Sequence, residues 1–265
     1  MNLPYENNTN IVITNCVEMR NVTKEFHTFK LDRVNLEVPK GKIVGFIGEN
    51  GAGKSTTINL LLNLIEKDDG EINVFGLHYP KDETRIKQQI GVAFDECFYP
   101  EELTPNDIEI ILSGAYKKWD HSLYCQLLQK FSVPKEQKIA SFSRGMKMKL
   151  GIATAISHHA KLLILDEATS GLDPVVRDEV LDMLMEYVKL ENASILFSSH
   201  IISDVEKVAD IVVLINNGQV VFQEKKEMLL QKYRIFEGKT SAFVKNISKR
   251  KTDNGIQYLI DISDV

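Results

Sequence analysis

Residues 48–56 read Gly-Glu-Asn-Gly-Ala-Gly-Lys-Ser-Thr, and no other stretch limits the possible folds so tightly. They satisfy G-x-x-x-x-G-K-[ST] through Gly48, Gly53, Lys54 and Ser55, with Gly51 between the two glycines. Glycines let the backbone turn tightly and bring its N–H groups against an anion. A helix starting at the same point aims its positive end there too. Lys54 adds a mobile charge for terminal phosphates, and the Ser55 hydroxyl suits Mg²⁺. The motif requires a strand before it and a helix after it. Residues 42–47 (KIVGFI) are apolar and strand-like, while residues 54–65 carry Ile58, Leu61, Leu62 and Ile65 on one helical face. The reading is nucleotide binding on an α/β fold.

The chain has 265 residues, enough for one large α/β domain, or for one domain with a subdomain and a tail. Its net charge of −5 gives no nucleic-acid footprint. The basic runs at 144–149 and 248–251 read as solvated faces. Cys16, Cys97 and Cys125 are odd in number and widely spaced, with no CxxC. That fits free thiols in a reducing compartment and argues against a disulfide framework or a zinc site. The first ten residues lack a basic region and an apolar core, so they are not a signal peptide. No apolar run approaches the length of a membrane span.

Residues 1–13 are polar and read as frayed. Two antiparallel strands are expected at 16–22 and 34–38, with Phe26 between them. Strands follow at 71–75 and 90–94, and a short helix at 81–88. Thr104, Pro105 and Asp107 form a helix start. Helical pattern runs to about 118, resumes at 120–131, and returns from Ser143 to about 157. His158 and His159 read as surface residues at a helix end. No strand interrupts 100–158, which reads as an inserted helical subdomain. Strands at 161–166 and 193–199 flank a helix at 175–188. Asn216-Asn217-Gly218 marks a hairpin between 210–215 and 219–222. A short helix is expected at 224–232, and the tail from 233 mixes charge with β-like stretches, giving a small appended sheet.

Residues 162–167 read LLILDE. Taken alone, this is a strand ending in solvated acids. Beside a phosphate loop, Asp166 becomes a Mg²⁺ residue and Glu167 a carboxylate able to polarise an attacking water. The order of phosphate loop, helical insertion, a motif at Ser143, LLILDE, Ser170-Gly-Leu-Asp173 and His200 resembles the ATP-binding subunit of an ABC transporter. The resemblance covers roughly residues 16–225. It implies a P-loop NTPase core of mostly parallel sheet and helices, an antiparallel β subdomain and an inserted α-helical subdomain. The ATP-binding domain would be 14–225, with the helical part at about 96–158 and a small C-terminal extension at 226–265.

The resemblance also assigns roles. Gly48, Asn50, Gly51, Ala52, Gly53, Lys54, Ser55 and Thr56 would hold the phosphates of ATP. Phe26 stands where the family stacks an aromatic on adenine, its alternative being ordinary core. Glu167 would be the catalytic carboxylate, His200 the switch histidine at the γ-phosphate, and Ser170 to Asp173 the segment linking two subunits. Ser143 and Gly145 would face the γ-phosphate of a partner's ATP. Mg²⁺ would be held by Ser55 and Asp166. Two positions depart from the family pattern. The signature LSGGQ appears as Phe-Ser-Arg-Gly-Met at 142–146, an S-[KR]-G-M variant familiar in bacterial exporters with separate membrane polypeptides. The glutamine expected after residues 90–94 is Asp95, which still offers oxygen to a metal but only accepts hydrogen bonds.

The expected function is therefore ATP hydrolysis by a subunit that dimerises head to tail, with itself or a related subunit, and drives export through separate permease subunits. It would sit at the cytoplasmic face of a bacterial membrane and bind no nucleic acid. Two alternatives stand beside it. One is a soluble ABC-type ATPase outside transport, which would bring a coiled coil, basic surfaces or two nucleotide domains. The other is a regulatory ATP-binding subunit with weak hydrolysis, for which Asp95 speaks.

Overall fold

The computed structural model describes residues 14–96, 98–237, 246–252 and 255–261. The expected frayed segment at 1–13 and the Cys97 thiol lie outside the described residues. In chain order the elements are β1 (Asn15–Glu25), β2 (Lys30–Pro39), β3 (Ile43–Ile47), α1 (Lys54–Leu61), β4 (Asp69–Val74), α2 (Glu83–Lys87), β5 (Ile90–Phe94), α3 (Pro105–Ala115), α4 (His121–Lys130) and α5 (Arg144–Ile156). There follow β6 (Leu162–Asp166), α6 (Pro174–Glu191), β7 (Ser194–Ser198), α7 (Ile202–Val208), β8 (Ile211–Asn216), β9 (Gln219–Lys225), α8 (Lys226–Lys232), β10 (Tyr233–Glu237), β11 (Asn246–Thr252) and β12 (Gly255–Asp261).

The central sheet has the order β5-β6-β7-β3-β8-β9. Its first five strands run parallel and β9 returns antiparallel through the expected hairpin. Parallel strands need both faces covered, which explains the unbroken apolar runs of β6 and β7. Leu163 and Leu165 point into a core shared with α4, α5 and α6, while Leu162 and Ile164 point into a second core. That second core is closed by α1 and by the antiparallel sheet β2-β1-β4. β10, β12 and β11 form the small appended sheet.

Between β5 and β6 lie three helices and a turn of 3-10 helix at Ile139–Ser141, with no strand among the described residues there. α3 starts at a capping box in which Thr104 Oγ1 accepts from the Asp107 N–H while Asp107 accepts from the Thr104 N–H. Two sequence expectations need correction. The first helix stops at Leu61 rather than 65, because Asn63 takes a left-handed backbone and ends it. His158 is not at the surface. It is 1 % exposed and stacks on Tyr116 with ring centroids 3.9 Å apart. Burial pushes its pKa down to about 4, so the imidazole stays neutral. His159 is half-buried and reaches Asp120 and Glu191.

Candidate functional site

Register decides what meets at one edge of the central sheet. Phe94 pairs with Asp166, Asp166 with Ser198, and Phe46 with Ser198. The carboxyl ends of β5, β6, β7 and β3 therefore finish at one level. The chain leaves that level as Asp95, Glu167, Ser199-His200 and Ile47-Gly48. Ligands of open α/β sheets bind outside such strand ends. Four segments far apart in sequence are thus brought together by strand pairing alone.

The phosphate loop turns through Gly51 and Gly53, whose φ angles of 80° and 115° are closed to most side chains. Gly53 caps α1 with no side-chain hydrogen bond on the helix start, so the first N–H groups keep their capacity for an anion. Lys54 is 6 % exposed. Its ammonium folds back over the loop, donating to Gly48 O at 2.7 Å and Glu49 O at 3.3 Å. The same Nζ lies 3.5 Å from Glu167 Oε1. Thr57, which the sequence reading passed over, donates its hydroxyl to Gly53 O and locks the loop to α1. A cleft of about 570 Å³ opens here, lined by Phe29, Lys54, Ser55, Thr56, Asp95 and Glu167 among others.

The acids are placed for a cation. Asp166 is buried, and burial raises its pKa, opposed by the Ser55 hydroxyl and reinforced by the charges of Glu167 and Asp95. Asp166 Oδ1 is a buried acceptor without a hydrogen-bond donor, and Glu167 Oε1, likewise buried, is met by the Lys54 ammonium at 3.5 Å rather than by a hydrogen bond. Such oxygens cost free energy unless something positive meets them. Hard oxygen donors of this kind, with the exposed Ser55 hydroxyl beside them, fit Mg²⁺. Glu167 itself has φ 54°, an unusual conformation for a long side chain and one that collects at functional sites. It is held by its N–H to Ser198 O and by His200, whose Nδ1 lies 2.6 Å from Glu167 Oε2. Behind it, Thr169 donates to the buried Asp204.

Phe26 is 43 % exposed at the tip of the β1–β2 hairpin, not packed in the core. The aromatic lining the cleft is Phe29, its ring 6.4 Å from that of Phe26. The signal for Phe29 was present in the sequence as a second aromatic in the same hairpin. Gly218 fixes this hairpin against the phosphate loop. Its N–H donates to Ala52 O and its carbonyl accepts from Asp32 N, both at 2.9 Å. A Cβ there would fall 1.9 Å from Lys30 O.

Ser143 and Gly145 are not among the residues lining the phosphate-loop cleft. Ser143 caps α5, its hydroxyl accepting from Met146 N, and Gly145 backs onto Gly171. The first turn of α5 contains no acid. Instead Arg144 extends from it to Ser170 Oγ at 3.3 Å and to Asp95 at 3.9 Å. Asp95 therefore stands between the phosphate loop and the motif at Ser143.

A phosphate loop, a strand-end acid pair and a histidine on one parallel sheet define a nucleoside triphosphatase of the P-loop class. The family model for the ABC transporter matches residues 31–170. The bacitracin transport ATP-binding protein BcrA of Enterococcus faecalis is 31% identical, over 91% of this chain and 81% of its own. The lantibiotic transport ATP-binding protein SrtF of Streptococcus pyogenes is 36% identical, over 74% of this chain and 84% of its own. A solved ATP-binding subunit of an ABC transporter superposes with a TM-score of 0.75 at 28% identity, covering 82% of this chain and 92% of that one. The chain belongs to the ATP-binding, ATP-hydrolysing subunits of ABC transporters.

Proposed function

We propose that this subunit holds Mg·ATP at the common strand-end level, hydrolyses it only when capped by a second subunit, and drives export of antimicrobial peptides through separate permease chains. The observation carrying this is the convergence of Lys54, Asp166, Glu167 and His200 at one end of the parallel sheet. Lys54 and the loop N–H groups bind the β- and γ-phosphates. Phe26 and Phe29 offer π faces for the adenine. Ser55 and Asp166 hold Mg²⁺, with Asp95 as a third oxygen donor. Bound there, the metal would supply positive charge against that developing on the phosphate oxygens. Glu167 takes a proton from the attacking water. His200 orients that carboxylate and meets the γ-phosphate.

Ser143 and Gly145 lie off the subunit's own cleft, so they are assigned to a nucleotide held by another copy or a related subunit, packed head to tail. Phe98, three residues after Asp95, and Ile110 and Ile111 on α3 are exposed apolar side chains. They suit helices of a permease at the cytoplasmic face of a bacterial membrane. No described helix is long and apolar enough to cross a membrane itself. The cargo class rests on the likeness to bacitracin and lantibiotic transport subunits. The decisive experiment pairs Ser143→Cys in one copy with Asn50→Cys in another. A disulfide that forms with ATP and not with ADP supports the head-to-tail arrangement; cross-linking indifferent to nucleotide refutes it.

A further inference from the structure

Away from the nucleotide, α3 and α4 bring together three side chains that ATP chemistry does not use. Glu109 comes from α3, and His121 and Cys125 from successive turns of α4. One donor atom from each lies within 4.8 Å of the other two. His121 Nδ1 is 2.7 Å from Glu109 Oε1 and 3.9 Å from Cys125 Sγ. Spaced by four residues, His121 and Cys125 share one face of α4. The indole N–H of Trp119 donates to Glu109 Oε1 at 3.1 Å, an outer contact of the kind that orients a ligating carboxylate.

We propose that Glu109, His121 and Cys125 form a metal site for a borderline-soft divalent cation, Zn²⁺ by preference. Thiolate, imidazole and carboxylate together are the donor set of zinc, and three protein ligands leave a fourth position for water. In tetrahedral coordination at ordinary bond lengths, neighbouring nitrogen and oxygen donors sit about 3.4 Å apart. The Glu109–His121 contact must then open by a fraction of an ångström. His121 has the freedom to do this, since its side chain is 76% exposed. A hard cation such as Mg²⁺ has no use for the thiolate and selects the acids at the phosphate loop instead. The cysteine spacing that argued against zinc missed this site because two of its ligands are not cysteines and one sits on another helix. Metal bound here fastens the start of α4 to α3, whose exposed Ile110 and Ile111 adjoin Glu109 in sequence.

Trp119 is the chain's sole tryptophan, so the site carries its own optical reporter. The test is a Co²⁺ titration of the metal-stripped, reduced full chain without nucleotide. The expected result is one equivalent bound, with a sulfur-to-cobalt charge-transfer band and quenching of Trp119 fluorescence, and displacement of both signals by Zn²⁺. Cys125→Ser should abolish the band, and His121→Asn or Glu109→Gln should weaken binding at least tenfold. Both changes should persist when Asp166→Asn removes an acid from the nucleotide site. Absence of the band in the wild-type chain overturns the proposal. A band surviving in Cys125→Ser does so as well, since it places the thiolate at another cysteine. Thermal melting of each metal-free variant separates loss of the site from loss of fold.

Discussion

Glu167 Oε2 and His200 Nδ1 are 2.6 Å apart, although 33 residues separate them in the chain. The contact joins the ends of two neighbouring strands, and it points the other carboxylate oxygen towards Lys54. A carboxylate so placed has a defined direction, which suits the base proposed above. We predict that Glu167→Gln keeps Mg·ATP binding and lowers turnover by about 10²–10⁴-fold, the usual contribution of a general base. Dimers should accumulate with ATP in gel filtration. Wild-type turnover in that variant would remove Glu167 from the role.

Lys54 is nearly buried, and its ammonium is held by the carbonyls of Gly48 and Glu49. Its charge is thereby stationed over the cradle before any phosphate arrives. Lys54→Ala should weaken Mg·ATP affinity by roughly ten- to a hundredfold, in line with about 1.5–3 kcal/mol for hydrogen bonds to charged groups. Isothermal titration of both proteins checks this, and an unchanged Kd contradicts the phosphate-loop assignment.

His158 gives a prediction in pH. Its pKa falls from 6.5 to about 4 because burial against Tyr116 disfavours the cation. Between those values the unfolded chain binds a proton that the folded chain refuses. Stability is therefore intact above about pH 6.5 and declines as pH drops towards 4, by on the order of 3 kcal/mol in full. His158→Phe keeps an aromatic on Tyr116 and removes the proton. Urea unfolding between pH 7.5 and 4.5 should show a shallower acid decline in the variant. Parallel slopes would show that His158 does not titrate in this way.

Gly218 permits no side chain. With φ 75° and a carbonyl in the way, Gly218→Ala must shift either the hairpin or β2. A loss of about 1–3 kcal/mol is expected from the overpacking. Nucleotide affinity should fall several-fold with it, because the same turn holds Ala52. Denaturant midpoints and nucleotide titration measure the two effects, and full stability in the variant would show that the turn has slack.

Much of the site was legible in the sequence because its motifs sit at strand ends, where apolar runs stop and chemistry starts. The LLILDE stretch showed both its burial and its acids. Pairing was not legible. Nothing in residues 90–94 says that Phe94 lies level with Asp166, and only that register brings Asp95 into the cleft. His158 was misread because helix-end position carries no information about what packs above it. Tyr116, its stacking partner, comes from the far end of α3. Phe29 and Thr57 act through neighbours three-dimensional in origin, and Glu109 meets His121 only once two helices are side by side. Periodicity locates faces of elements, but not which faces meet.

The opening turn of α5 departs from the usual arrangement. Its dipole is positive there, yet it bears Arg144 and no acid, and Arg144 reaches out to the Ser170 hydroxyl and to Asp95. A lone subunit therefore exposes a mildly repelling cationic tip. In the proposed head-to-tail pair that tip would meet a triphosphate, and loss of the terminal phosphate would weaken the attraction at the moment the reaction ends. On that proposal helix α5 would act as a sensor of anionic charge across the seam, holding the two halves while three phosphates remain and loosening its grip when two are left.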